Sequence, residues 1–240
     1  MKPKDNILNI LFFLFIGFFG ALQAQIAPNV YLHKSGEDLS IVLRIMLDKD
    51  YFVYTEFETT PAKFGKTLGG FYTVKDDELH VALEFNSNFE SDAVKTLRIP
   101  FSYKENKLVL DLKGERDFSV DINDAQELDG KWLMAGRVVD HAEQRRDTTA
   151  PRKTMKFLCN GHFQWIAYNT ETMAFSGTGG GSFTSKEGIY IEKIVFFSRD
   201  ASRVGAALDF KYDLKGTDWH HTGKSSKGDP LHEIWAKRLP

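Results

Sequence analysis

Apolar and polar residues alternate one for one along much of this chain, and no stretch sustains a 3.6-residue period. In residues 208–214, Leu208, Phe210, Tyr212 and Leu214 lie on one face and Asp209, Lys211 and Asp213 on the other. In residues 79–85, the odd positions Leu79, Val81, Leu83 and Phe85 are all large and apolar. Phe163, Trp165 and Ala167 alternate with His162, Gln164 and Ile166 in the same way. Alternate side chains of a strand point to opposite faces, so these segments predict half-buried strands. Residues 189–197 are apolar on both faces except for Glu192 and Lys193, which predicts a strand buried on two sides or packed on another part of the chain. Turn signals separate the strands at short intervals: Lys75-Asp76-Asp77, Lys104-Glu105-Asn106, Lys186-Glu187-Gly188 and Lys215-Gly216-Thr217. Many short strands at this spacing predict an all-β chain built of antiparallel barrels or sandwiches.

The pattern occurs twice. Shifting the chain by 111 positions lays residues 47–75 over 158–186 without a gap, and nine of the 29 pairs are identical, among them Phe52/Phe163, Phe64/Phe175, Thr67/Thr178, Gly69/Gly180 and Gly70/Gly181. Beyond this window the register is expected to resume at a shift of 109, with Phe101 over Phe210 and Tyr103 over Tyr212. A period this long is not a solenoid repeat; each copy is large enough for its own core. The glycine pairs precede a strand in both copies and read as a bend or bulge where a side chain would clash. No helix follows them, so they are not expected to cradle phosphate. Residues 117–129 read as a linker and 140–153 as a long loop of the second copy, with room for a short helix. The predicted organisation is a leader at 1–24, a first domain at 25–127 and a second at 128–240.

Composition adds the compartment. Lys2 and Lys4 precede an apolar run from Ile10 to Leu22 that ends in Ala21-Leu22-Gln23-Ala24, the three parts of a secretory signal. Thirteen apolar residues fall short of the roughly 20 that span a bilayer, so export to the periplasm or medium is expected, with no integral membrane segment after cleavage. Removing residues 1–24 leaves 29 basic and 32 acidic side chains. This balance provides no electrostatic footprint for nucleic acid. Cys159 is the sole cysteine; it has no internal disulfide partner and reads as a small buried thiol.

Gly130-Lys131-Trp132 forms the G-x-W pattern of a lipocalin opening strand, and Asn160-Gly161-His162-Phe163-Gln164-Trp165, Asp218-Trp219-His220-His221 and His232-Glu233-Ile234-Trp235-Ala236-Lys237-Arg238 follow in order. Together they resemble the lipocalin-like domains of secreted bacterial proteins, well over 129–240 and over 26–125 only through the repeat. The resemblance implies two tandem lipocalin-like barrels, with Trp132 and Trp235 closing the second and Arg238 lying over Trp132 as a cation–π contact, Arg137 being its rival. The first copy departs from the pattern. Val30-Tyr31-Leu32 is its opening strand without G-x-W, Phe118 matches Trp235 poorly, and a shorter or open barrel is expected.

All four tryptophans lie in the second copy. Its inward aromatics Phe163, Trp165, Phe183, Phe196, Phe210, Tyr212 and Trp219 are candidates to line a cavity for a small apolar ligand, against the plain alternative of a packed core. His162, His220, His221 and His232 could gather, with Asp218 and Glu233 near. Adjacent His220 and His221 must face opposite ways on a strand, so neither a metal site nor a cofactor is expected. There is no G-x-S-x-G elbow, and no acid and base stand out. The expected function is non-enzymatic binding of a hydrophobic ligand, with an envelope interaction or scaffolding module acting through outer surfaces as the alternative. No protein partner can be named from the chain alone.

Overall fold

A computed structural model of the chain describes residues 26–121, 123–225 and 228–239, and the export signal read at 1–24 lies outside them. Strands β1 (Asn29–Ser35), β2 (Ile41–Leu47), β3 (Tyr51–Thr59), β4 (Ala62–Lys75), β5 (Glu78–Asn86), β6 (Thr96–Lys104), β7 (Lys107–Asp111) and β8 (Glu115–Val120) pair in sequence order. Tyr31 and Leu32 then pair with Val120 and Ser119 and close them into an antiparallel barrel. A one-turn helix, α1 (Phe89–Asp92), sits between β5 and β6. The first copy is therefore neither short nor open. Residues 115–120, partly read as linker, form its eighth strand because Phe118 is fully buried in its core.

The second barrel runs through β9 (Gly130–Val139), β11 (Arg152–Cys159), β12 (His162–Asn169), β13 (Phe175–Lys186), β14 (Ile189–Phe197), β15 (Ala207–Lys215), β16 (Asp218–Lys224) and β17 (Pro230–Lys237), and closes where β17 pairs with β9. The extra strand β10 (Ala142–Arg145) folds back on the end of β9. It occupies the segment read as a loop, which contains no helix.

Strand pairing sets the equivalence of the copies. Leu79 pairs with Ile99 and Tyr190 with Phe210, so the shift of 111 continues through β6 and β15. Both strands carry the same alternation of buried and exposed positions at that shift. The expected change to 109 does not occur; Ile99 matches Phe210 and Phe101 matches Tyr212. Leu108 pairs with Phe118 and Trp219 with Trp235, making Phe118 the counterpart of Trp235. Tyr31 is likewise the counterpart of Trp132. Its hydroxyl donates to the Ala27 carbonyl at 2.7 Å, and the Trp132 indole donates to the Leu128 carbonyl at 2.8 Å, each four residues back.

The paired glycines make a bulge in each barrel. Register slips between Gly69 and Gly70 opposite β5, and between Gly180 and Gly181 opposite β14. A Cβ on Gly70 would lie 1.9 Å from the Ala82 carbonyl oxygen, and one on Gly181 1.8 Å from that of Lys193. Only glycine permits that approach. The extra residue in the partner strand, Glu84 or Val195, reverses which face each following side chain takes.

The barrels pack side by side through outward-facing side chains. Val30, Met46, Tyr51, Val53 and Phe85 of the first meet Leu133, Met155, Phe157, Cys159, Ile166 and Tyr168 of the second. The contact has an internal two-fold. Phe64 stacks on its own counterpart Phe175, and Phe57 on Phe196 at 4.8 Å is mirrored by Phe85 on Tyr168 at 5.2 Å. This is the isologous arrangement of a symmetric dimer, realised within one chain.

Polar groups lock this contact. Gln164 bridges Thr55, Thr67 and Thr178. Arg44, fully buried, donates to Gln164 and to the Phe163 and Gly181 carbonyls, and burial pulls its guanidinium down to about 9. Lys131 pairs with Asp48 and Asp50. Arg238 grips Glu84 with two bonds of 2.7 Å, joined by the hydroxyls of Tyr51 and Tyr168. Burial would raise the Glu84 carboxyl, but the Arg238 bonds and charge outweigh it and hold it below the usual carboxylate range.

Candidate functional site

The two interiors differ at equivalent positions. The first is lined by apolar side chains and tyrosines, including Ile45, Leu79, Val81, Leu108, Leu110 and Phe118. By the pairing above, their counterparts are Lys156, Tyr190, Glu192, Trp219, His221 and Trp235. The last four strands of the second barrel thus surround an ammonium, a carboxylate and an imidazole with aromatic rings.

Lys156 and Glu192 are 7% and 8% exposed and lie 3.5 Å apart. The Lys156 ammonium stands 5.1 to 5.2 Å from the ring centres of Tyr190, Trp219 and Trp235, within cation–π range of all three. Tyr190 donates its hydroxyl to Glu192 at 2.9 Å, and burial first, then this carboxylate, raises the phenol well above its ordinary value. His221 packs against Phe210 at 4.1 Å, Trp219 at 5.1 Å and Tyr190 at 5.5 Å. Burial, and secondarily the Lys156 charge, pushes it well below the usual imidazole range, so it is neutral at physiological pH. His221 Nδ1 and Trp219 Nε1 are buried without a hydrogen-bond partner. Buried polar atoms seldom lack one, and each lost partner costs about 1–3 kcal/mol.

Above this cluster opens a pocket of about 300 Å³ at one mouth of the barrel. Lys156, Glu192 and His221 line it together with Trp165, Ile194, Phe197, Leu208, Phe210 and Leu231, while Arg203 and Glu233 stand on its wall. Arg203 has Asp200 at 3.5 Å, and Glu233 has Arg137 at 3.9 Å and accepts the Trp235 indole N–H at 3.1 Å. A concave apolar site with a few convergent polar groups is the general form of a small-molecule site.

No family model and no curated protein matches the chain. Among solved structures, the crystal structure of the Helicobacter pylori beta clamp bound to a DNA ligase peptide is 10% identical over 90% of this chain, with a TM-score of 0.18. This chain spans 60% of that one's length. A likeness this slight carries no argument.

Of the aromatics expected inside, Phe163, Phe183, Phe210, Tyr212 and Trp219 belong to the interior cluster with Trp132 and Trp235, and Trp165 packs on it half-buried. Phe196 does not. The Val195 bulge turns it outward onto Phe57 and the Arg44 guanidinium of the first barrel. Arg238 is also placed differently from the expectation: the cation over Trp132 is Lys237, at 5.2 Å, which pairs across the ladder with Trp132 and shares its face. Arg238, next along, faces the other way and lies over Tyr51 and Phe71 of the first barrel. His220 and His221 do face opposite ways; His220 meets His232 at 3.1 Å on the outside. Among the described residues no group of three or more His, Cys, Asp or Glu could hold a metal.

The alternation pattern alone missed Lys156, Tyr190 and Glu192. Their signal lay in the repeat, as polar residues standing where the first copy has Ile45, Leu79 and Val81.

Proposed function

We propose that this is an exported, non-catalytic binding protein of two tandem lipocalin-like barrels, in which the second barrel holds a small, largely hydrophobic ligand and the first serves as a solid partner. One observation carries the reading. The Lys156, Glu192 and His221 cluster replaces apolar residues of the first barrel and forms the floor of an open, aromatic-walled pocket. Burying a charge pair and a neutral histidine costs stability that the first barrel avoids, and such departures concentrate at functional sites.

The alternative, an envelope scaffold acting through outer surfaces, calls for a contiguous exposed apolar patch. Along β14, exposed Ile189 and Ile191 stand beside Lys211 and Asp209 on β15 and Lys186 and Thr184 on β13, so charged and polar residues break the surface there. The binding reading is tested by titrating the full chain with a panel of fatty acids, alcohols and flat aromatic molecules. The expected result is quenching of tryptophan emission with a rise in melting temperature. Loss of both responses in Leu208→Trp, which fills the pocket mouth, would place the ligand there; absence of any response across the panel would overturn the reading.

A further inference from the structure

Each charge lining this pocket has an opposite partner within 4 Å: Lys156 with Glu192, Arg203 with Asp200, and Glu233 with Arg137. Among the described residues the pocket therefore presents no net charge to an occupant. The Lys156 ammonium at its floor is nonetheless short of oxygen acceptors. An ammonium carries three donors, and among the described residues Lys156 has one oxygen acceptor, Glu192 Oε2, at the long distance of 3.5 Å. The same carboxylate oxygen already accepts the Tyr190 hydroxyl at 2.9 Å. Beside it, His221 Nδ1 is buried without a partner, and as one nitrogen of a neutral ring it donates or accepts according to the tautomer.

Resting on the binding reading above, we propose that the ligand class is an apolar molecule with one uncharged oxygen head, a hydroxyl or a carbonyl, whose oxygen accepts from the Lys156 ammonium at the pocket floor. A carboxylate head would bring a second negative charge beside Glu192, and an ammonium head a second positive charge beside Lys156. Either would be desolvated with no free counter-charge, which is costly in a site this buried. An uncharged oxygen fills the missing acceptor position without upsetting the pair. The apolar body lies along Ile194, Phe197, Leu208 and Leu231, which line the way out.

The test is a set of titrations of the full chain at pH 7.5, followed by tryptophan emission, with four probes of one chain length: 1-decanol, decanoate, decylammonium and decane. Decanol is expected to bind at least tenfold tighter than each of the other three. In Glu192→Gln the Lys156 charge loses its counter-ion, and decanoate is expected to overtake decanol. The comparison of decanol with decane on the unaltered chain requires no variant, so the proposal stays exposed if Glu192→Gln fails to fold. Decanoate or decylammonium binding as tightly as decanol overturns the neutral-head assignment and leaves the binding site standing. Decane binding as tightly as decanol removes the role of Lys156. No response to any of the four removes the site and this inference together.

Discussion

The two barrels share one strand order, one glycine bulge and one hydrogen bond from a buried ring to the carbonyl four residues back, yet their interiors differ in kind. Where the first has Ile45, Val81 and Leu110, the second has Lys156, Glu192 and His221. A closed barrel fixes backbone geometry through its ladder, and the identity of the inward side chains is then free to vary at equal shape. The pair thus separates what builds the fold from what the fold carries. Features common to both copies, the bulge and the ring-to-carbonyl bond, are architectural. Features confined to one are candidates for function.

The strongest way to break this contrast is to exchange the interiors. Ile45→Lys places an unpaired charge in the first barrel and is expected to cost several kcal/mol, abolishing cooperative folding of that barrel in denaturant titrations. In the second barrel, Glu192→Val alone strands Lys156 and is expected to cost about 3–5 kcal/mol, whereas the double variant Lys156→Ile with Glu192→Val should recover the original stability or exceed it. A double variant as unstable as the single would show that the pair is not the difference that matters.

Next come the shared glycines. Gly70→Ala and Gly181→Ala each push a methyl into a carbonyl oxygen, and each is expected to cost about 3 kcal/mol or more, by similar amounts in the two barrels. A large loss at one site with none at the other would end the claim of an equivalent bulge.

A smaller effect separates the barrels by pH. Because folding holds His221 below its ordinary value, its contribution is present above the unfolded imidazole value of about 6.5 and is lost as pH falls, since the unfolded chain binds a proton that the folded chain refuses. His221→Leu, which installs the residue of the first barrel, should remove about 1 kcal/mol of the stability loss between about pH 6.5 and 5.5. Equal slopes in the two proteins would show that His221 is not held neutral.

The smallest effect tests sameness again. Tyr31→Phe and Trp132→Phe each delete one buried donor to a carbonyl four residues back. Tyr31→Phe should cost about 1 kcal/mol in chemical denaturation; Trp132→Phe should cost more, because ring volume is lost as well.

Most of the architecture was legible in the chain. Alternation in residues 79–85 and 208–214 located strands that exist, the repeat located two equivalent units, and Gly69-Gly70 and Gly180-Gly181 were readable as bulges. The opening strand at Val30-Tyr31-Leu32 was also readable, although Tyr31 as the stand-in for a tryptophan was not. The site was legible only in part. Phe163, Phe210, Tyr212 and Trp219 follow from strict period two, because no irregularity intervenes between them and their strand starts; Phe183 lies beyond the extra residue Ser176 in β13, which puts it on the face opposite to Phe175. Phe196 does not follow from period two, because a single extra residue at Val195 reverses the face of everything after it and leaves no mark in local hydrophobicity.

By itself, then, the sequence determined strand content and the inward face of each regular strand, because these depend on neighbours one and two residues apart, and it determined the duplication, because the chain can be laid over itself. The tertiary structure alone decided that the shift of 111 extends through β6 and β15, which outward faces meet, and that Lys156, Glu192 and His221 come together from β11, β14 and β16. Those depend on ladder register and barrel closure, which join residues tens of positions apart through hydrogen bonds that no local pattern encodes.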